Sequence, residues 1–473
     1  MSLISAEPGV AQHRYRPTYV WLVASAGALG GLLFGYDWVV IGGAKPFYER
    51  FFHLDSPSLA GWAMSCALIG CLVGAVSAGA LSNRFGRKHL LTLAALAFAS
   101  SSIGVGLADQ FAVFVAWRML GGYAIGLASG ISPVYIAEIS PAHLRGRLVS
   151  LNQLAIVTGI LLAQLVNWMI ARPVPPGASA HDILFSWNGQ WGWRWMFAVT
   201  AVPSLLFLLT TLVVPESPRW LATRGRSQQA FRVLERLGGA SYAQGVLKEF
   251  STVSSEAPAV PLTKTLTGGV RRVLVLGVVL AVLQQWCGIN VIFNYAQEIF
   301  AQAGYQVSDI LFNIVVTGAV NLVFTFVALF TIDRYGRRFL LLLGVSGLLI
   351  IYAVLGLFYA LHLHGKPMLV LVLMAIACYA MSLAPVTWVV ISEIFPNRMR
   401  GFLTSIAITA LWIACFILTY TFPLLNASLG AAGTFWCYAA VCLAGLTFLY
   451  FRLPETKGQS LEEIESKLQL PPG

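Results

Sequence analysis

Two charges stand where almost nothing else is charged. Asp37 is the only charge in the apolar run from about Tyr19 to Ala44, and it closes the stretch Gly30-Gly31-Leu32-Leu33-Phe34-Gly35-Tyr36-Asp37. Arg118 is the second such charge, in the run that begins at Phe111. A charge in hydrocarbon is costly, so such groups face a protein interior or a watery path and commonly mark ion routes. Asp37 lies seven residues before Ala44, and Arg118 lies seven after Phe111. At the rise of an α-helix, both sit roughly 10 Å in from the same end of their helices. That match of depth predicts an Asp37–Arg118 pair. A guanidinium favours an ionised carboxylate and desolvation disfavours it. A pair whose hydration changes can therefore load and release a proton. The other reading has Arg118 snorkelling outward and Asp37 solvated.

The elements that must hold this pair are membrane helices. The 473 residues are 58% hydrophobic and 10% charged, with mean hydropathy +0.76. A soluble domain carries roughly 25% charged residues. A span needs about 20 apolar residues. Twelve runs meet that rule, near 19–43, 59–81, 89–108, 111–137, 148–170, 191–214, 273–300, 308–331, 339–361, 367–391, 402–425 and 432–452. The net charge of +11 does not point to nucleic acid. Its cations gather in short loops, after the second run (Arg84, Arg87, Lys88), the fourth (Arg145, Arg147), the eighth (Arg334, Arg337, Arg338) and the tenth (Arg398, Arg400). The positive-inside rule then places those loops and both termini in the cytoplasm. No cleavable signal peptide is expected, because the first run is too long for one and more spans follow. The seven cysteines all fall inside apolar runs, without metal or disulfide spacing. They read as small core residues.

The expected organisation is a short N-terminal segment (1–18), a first bundle (19–214), a polar linker with surface helices (215–272), a second bundle (273–453) and a C-terminal amphipathic helix (454–473). The bundles repeat each other. Asn83-Arg84-Phe85-Gly86-Arg87-Lys88 is echoed by Asp333-Arg334-Tyr335-Gly336-Arg337-Arg338, Glu138 with Arg145-Gly146 by Glu393 with Arg400-Gly401, and Pro215-Glu216 by Pro454-Glu455. Three echoes in one order argue for duplicated six-span halves, as in transporters built of two such halves with substrate at their interface.

The chain resembles the sugar porters of the major facilitator superfamily, in particular the bacterial proton-coupled xylose and hexose symporters. The resemblance rests on GGLLFGYD (30–37), NRFGRK (83–88), RMLGG (118–122), the block Tyr135–Arg147, Trp193-Arg194-Trp195, PESPRWL (215–221), QQWCGIN (284–290), DRYGRR (333–338), Pro385-Val386-Thr387-Trp388 and PETKG (454–458). It implies an all-α integral membrane protein of twelve helices in two pseudo-symmetric bundles. It also implies that Asp37 is the proton carrier, since facilitative members generally lack an acid there.

Sugar recognition needs neutral donors and acceptors and an aromatic platform. The seventh span supplies Gln284, Gln285 and Asn290, with Gly288 as a break that would turn these amides to one side. Broken helices line midplane sites in transporters. The resemblance adds Gln153, Asn321 and Trp388, with Trp412 beside them. It also exposes departures: Leu411 precedes that tryptophan where many relatives are polar, Cys415 stands for a common asparagine, and Asn294-Tyr295 replaces a Tyr-Tyr pair. A pocket lacking one hydrogen bond favours a sugar lacking the matching hydroxyl. Any of these amides could instead serve as interhelical glue.

The charges near the cytoplasmic loops read as gate hardware. The expected pairs are Glu138 with Arg145, Glu393 with Arg400, and Asp333-Arg334 with Arg337, with Arg84 nearby. Glu216 and Arg219 of the linker are expected to tie the halves together. His362-x-His364 offers only two local ligands for a metal, and no GxxxxGK[ST] is present for a nucleotide.

The expectation is therefore a secondary transporter that imports a pentose or hexose with a proton by alternating access. It is not an enzyme. It needs no metal or cofactor, binds no nucleic acid, and works as a monomer in the lipid bilayer of a cell inner membrane. The competing readings are a facilitative uniporter, in which Asp37 is structural, and a non-transporting sugar sensor. The latter usually needs a long signalling tail, whereas here about 19 residues follow Pro454.

Overall fold

A computed structural model describes residues 15–141, 144–175, 177–254, 268–363, 365–396 and 399–457. The expected C-terminal amphipathic helix (from 458), most of the N-terminal segment, part of the linker (255–267), Arg398 and His364 lie outside the described residues.

The first five spans are single helices: Pro17–Phe51, Pro57–Phe85, Arg87–Gly106, Phe111–Ile139 and Arg145–Ile170. Their starts follow local chemistry. Pro17 and Pro57 occupy first-turn positions, where no backbone N–H is needed, and the Ser56 hydroxyl caps the second span by accepting from Leu59 N at 3.2 Å. The sixth span runs from a π-helical turn at Asn188 to Val213. The seventh is broken: Gly268–Trp286 ends, Gly288 turns left-handed (φ +86), and Ile289–Asn294 and Ala296–Gln302 continue. The eighth and ninth are Val307–Tyr335 and Arg337–Ala360. The tenth divides at Ser382 into Lys366–Met381 and Leu383–Ile394.

The last helix, Arg400–Arg452, counts 53 residues, or roughly 80 Å, more than twice a bilayer core of about 30 Å. Gly430 interrupts it with φ +67, ψ 177. The segment is thus the eleventh and twelfth spans, and the total is twelve. An even count puts Tyr15 and Lys457 on one side, here called the terminal end, with the far end opposite.

Close backbone approach holds the first bundle together. Gly70 and Gly74 of the second span face Gly122 and Gly126 of the fourth. A Cβ at Gly122 would overlap the Ala67 carbonyl, and one at Gly70 would overlap the Met119 carbonyl. Gly35 of the first span and Gly159 of the fifth interlock in the same way, against Ile156 O and Leu32 O. Packing of small residues replaces the hydrophobic effect as the glue between helices in lipid.

The linker helices Pro218–Thr223, Ser227–Gly238 and Ala240–Ser254 are amphipathic and close a small core of Trp220, Leu221 and Ala230 at the terminal end. Arg16 N donates to Leu237 O at 2.7 Å, tying the start of the first span to them.

The repeat in sequence is a repeat in hydrogen bonds. Gly86 (φ +96) and Gly336 (φ +90) each break the chain between two spans. Glu216 accepts from Arg87 N and Lys88 N at 2.9 and 3.1 Å. Its counterpart Glu455 accepts from Arg337 N and Arg338 N, both at 3.0 Å. Two helix starts with orphan N–H groups are thus capped by acids from 129 and 118 positions away.

Candidate functional site

Asp37 and Arg118 meet. Arg118 Nη1 donates to both oxygens of the Asp37 carboxylate at 3.1 Å. The residues are 4% and 2% exposed, and the guanidinium also lies over the Phe197 ring of the sixth span, 5.4 Å from its centroid. Gly121 lies beside the pair, where a Cβ would sit in ordinary contact with Asp37 Oδ2 at 3.5 Å but would press on Ser101 Oγ at 2.6 Å.

The seventh, tenth and eleventh spans bring together the second group. Gln284 Nε2 donates to Leu383 O and Ala384 O, each at 3.2 Å. Those carbonyls lie just after the Ser382 break of the tenth span. Gln284 Oε1 has no partner among the described residues and is buried. Gln285 Oε1 accepts from Asn290 Nδ2 across the Gly288 break. The left-handed turn thus solves the facing problem that a straight helix would pose. Asn290 also approaches Cys415 Sγ at 4.0 Å, and Trp286 Nε1 donates to Ala414 O at 2.9 Å.

Trp412 is buried, with ring centroids 6.0 Å from both Phe34 and Trp38 of the first span. It therefore spans the interface of the two halves. Trp388 is half-buried on the tenth span. Asn321 is buried and Gln153 half-buried. The fifth and eighth spans that carry them meet at Gln164 and Gly318, where a Cβ would overlap Gln164 Oε1. Gln153 lies about three turns from Gln164, and Asn321 about one turn from Gly318, so each shares that interface face. Leu411, Cys415 and Asn294 are all buried. Leu411 and Cys415 line the eleventh span with groups poorer in hydrogen bonds than the asparagine or glutamine expected from relatives.

At the terminal end, Glu138 has a partner other than the one expected from sequence. Glu138 pairs with Arg87 at 2.9 Å, not with Arg145. Arg145 is exposed, and its Nε donates to Ala137 O at 3.2 Å. Glu393 pairs with Arg337 at 3.1 Å; the side chains of Asp333 and Arg400, on which the other two expected pairs turn, are outside the described residues. The reason is the glycine turn. Gly86 and Gly336 end one helix and start the next, which places Arg87 and Arg337 as first residues of their spans, beside the ends of the fourth and tenth. The linker hydroxyl Ser217 Oγ adds a bond to Glu138 at 2.6 Å, and Thr456 Oγ1 adds one to Glu393 at 2.5 Å. Each network lies within one half. Glu216 ties the linker to the third span of its own bundle rather than joining the two halves. Arg84 and Arg334 are exposed against Phe85 and Tyr335.

One cluster escaped the sequence reading. Lys45 of the first span is 3% exposed. It pairs with Glu49 at 2.8 Å and with Glu298 of the seventh span, and it lies 5.4 Å from the Tyr295 ring centroid. Glu298 belongs to the second half, so this pair joins the halves at the far end. Trp168 of the fifth span and Phe312 of the eighth add a ring contact there, 5.9 Å between centroids. The i, i+4 spacing of Lys45 and Glu49 was visible in sequence. The partner 253 residues away was not.

A family profile described as "Sugar (and other) transporter" matches residues 23–468. A D-xylose-proton symporter of Escherichia coli K12 is 38% identical over 484 aligned positions, covering 96% of each chain. A glucose transport protein of Synechocystis is 38% identical over 458 positions, covering 94% of this chain and 97% of that one. Among solved structures, the partially occluded inward-open conformation of the E. coli xylose transporter XylE superposes with a TM-score of 0.82 at 35% identity, covering 94% of this chain and all of that one.

Proposed function

Because the chain belongs to the sugar transporter family of the major facilitator superfamily, we propose that it imports a monosaccharide together with a proton by alternating access. The observation that carries this reading is the buried Asp37–Arg118 pair. A passive carrier needs no ionisable acid there. In a coupled one, protonation neutralises Asp37 and weakens its hold on a guanidinium that keeps its charge.

The sugar sits between the halves. Gln284, Gln285 and Asn290 meet its hydroxyls, together with Gln153 and Asn321 from the facing spans. Trp388 and Trp412 offer aromatic faces to its C–H surface. The far end is closed by Lys45–Glu298 and by the packing of Trp412 on Phe34 and Trp38. That closure fits the likeness to an inward-open relative. The Arg87–Glu138 and Arg337–Glu393 networks brace each half at the terminal end and take part in closing that side when the halves rock the other way. The terminal end, with its arginine-rich loops, is the cytoplasmic face of a bacterial-type inner membrane, and one chain suffices for the cycle. The bundles fall at 19–214 and 273–453, with 215–272 as linker. Relatives named for xylose and for glucose are equally similar, so pentoses and hexoses are both substrate candidates.

The test is uptake of labelled xylose, arabinose and glucose by proteoliposomes, with and without an imposed pH gradient. Accumulation above the outside concentration only with the gradient supports symport. Equilibration that ignores the gradient identifies a uniporter. No sugar flux in either condition removes the transport reading.

A further inference from the structure

Asn294 is buried, 5% exposed, and its Oδ1 has no partner among the described residues. It stands on the short helix after the Gly288 break, one turn beyond Asn290. It lines a narrow cavity with Trp38, Met64, Ile125 and Arg118. That cavity crosses from the seventh span, in the second half, to the first, second and fourth spans, in the first half. Arg118 Nε also lacks a partner there and is buried. A residue with an unpaired acceptor and a residue with an unpaired charged donor thus line one narrow space. Each carries a cost while unpaired, and an ionised donor forms the stronger class of hydrogen bond.

We infer that Asn294 is a positioning residue for proton coupling: its amide oxygen takes up the Arg118 guanidinium when protonation of Asp37 loosens the Asp37–Arg118 pair. The proton goes to the Asp37 carboxylate, and the guanidinium keeps its charge and changes acceptor. The charge state of the first half is thereby felt by the helix that carries Asn290 and, one turn further on, Glu298 of the far-end ion pair. The other ionisable groups facing the pair are Tyr36 and Tyr48 of the first span and the thiols of Cys66 and Cys71 on the second. From the second half, Cys415 acts on Cys71, and Tyr295 and Glu298 act on Tyr48, but of the residues that line the cavity Asn294 is the one from the second half.

This inference rests on the symport reading above. Its test compares wild type, Asn294→Leu, Asn294→Ser, Asp37→Asn and Asn294→Leu/Asp37→Asn in proteoliposomes of the full chain, with xylose and glucose as probes. Two fluxes are read: counterflow without a pH gradient, and accumulation with one. Both Asn294 single variants are expected to retain counterflow and lose accumulation by about fivefold or more, the lower end of coupling between sites. The double variant is expected to accumulate no less than Asp37→Asn alone. Undiminished accumulation in both Asn294 single variants overturns the inference. So does a parallel fall of counterflow and accumulation in both, which marks a sugar contact or a damaged fold. Wild type that exchanges sugar but never accumulates it overturns the symport reading and this inference together. Wild type that accumulates beside unaffected variants overturns the inference alone.

Discussion

Lys45 and the half-buried Glu298 form an ion pair between the two halves of the chain, at the end opposite Tyr15 and Lys457. Lys45 is 3% exposed and shared with Glu49. Sugar entering from that end must part Lys45 from Glu298, because they belong to bundles that separate there. Removing Glu298 costs the buried Lys45 ammonium one of its two carboxylates and leaves it to Glu49 alone. That cost falls on the conformation in which the pair is made.

Glu298→Gln is therefore expected to shift the population away from the far-end-closed state. Cysteine labelling from the outside at a far-end position, or spin-label distances across that end, reads the shift. Sugar affinity from the outside should rise. An unchanged distance distribution in Glu298→Gln and in Lys45→Met would show that the pair does not govern closure.

Asp37→Asn is expected to abolish gradient-driven accumulation and to leave counterflow, because the neutral amide cannot carry a proton. Arg118→Leu behaves differently. It strands a buried carboxylate, and thermal stability in detergent should fall by about 3–5 kcal/mol, recovering in part in Arg118→Leu/Asp37→Leu. Undiminished accumulation in Asp37→Asn would take the acid out of the mechanism.

The repartnered networks separate two arginines that sequence alone would rank equally. Arg87→Ala leaves Glu138 without its guanidinium and should lower melting temperature and transport rate. Arg145→Ala removes an exposed group and should change stability by no more than about 0.5 kcal/mol. Equal losses from both would contradict the pairing.

Gln285 accepts from Asn290 across a helix break. Gln285→Ala removes an amide proposed to meet the sugar and unpins Asn290, so the KM for sugar should rise by about tenfold, the value of one or two hydrogen bonds. Isothermal binding and counterflow KM should move together. A change in maximal rate with KM intact would assign Gln285 to the conformational step instead.

Glu455 titrates at the terminal end, outside the spans. Burial raises its carboxyl pKa, but the backbone N–H groups of Lys457, Arg337, Arg338 and Thr456 outweigh that and hold it below the usual value. The sign follows: its contribution is present above the unfolded carboxylate range, near about pH 4–5, and is lost as pH falls through the lowered folded value. The gap in melting temperature between wild type and Glu455→Gln should be widest at neutral pH and close in acid. A gap independent of pH would mean that the cap acts by shape alone.

Much of this protein was readable in one dimension. Apolar runs of bilayer length determined twelve spans, because backbone in lipid must satisfy itself within each helix. Spacing from the ends of those runs put Asp37 and Arg118 at one depth. The echo of Asn83–Lys88 in Asp333–Arg338 announced two halves. Gly288 announced the turn in the seventh span. The eleventh and twelfth spans were separable in sequence although one continuous helical segment carries both, with Gly430 as the only interruption.

Tertiary structure decided the partners. Glu138 and Glu393 have several arginines within reach of their loops, and sequence distance cannot choose among them. A positive-φ glycine turn chose Arg87 and Arg337, by fixing where a third helix begins relative to a fourth. Nothing local to Lys45 in sequence points to Glu298, 253 residues away. Asn294 looked like a departure from an aromatic pair until the fold placed it in the lining of one cavity with Arg118. Pairings of this kind depend on how two bundles lie against each other. The energy that sets that relation is spread over many weak helix contacts, so no local pattern of residues records it.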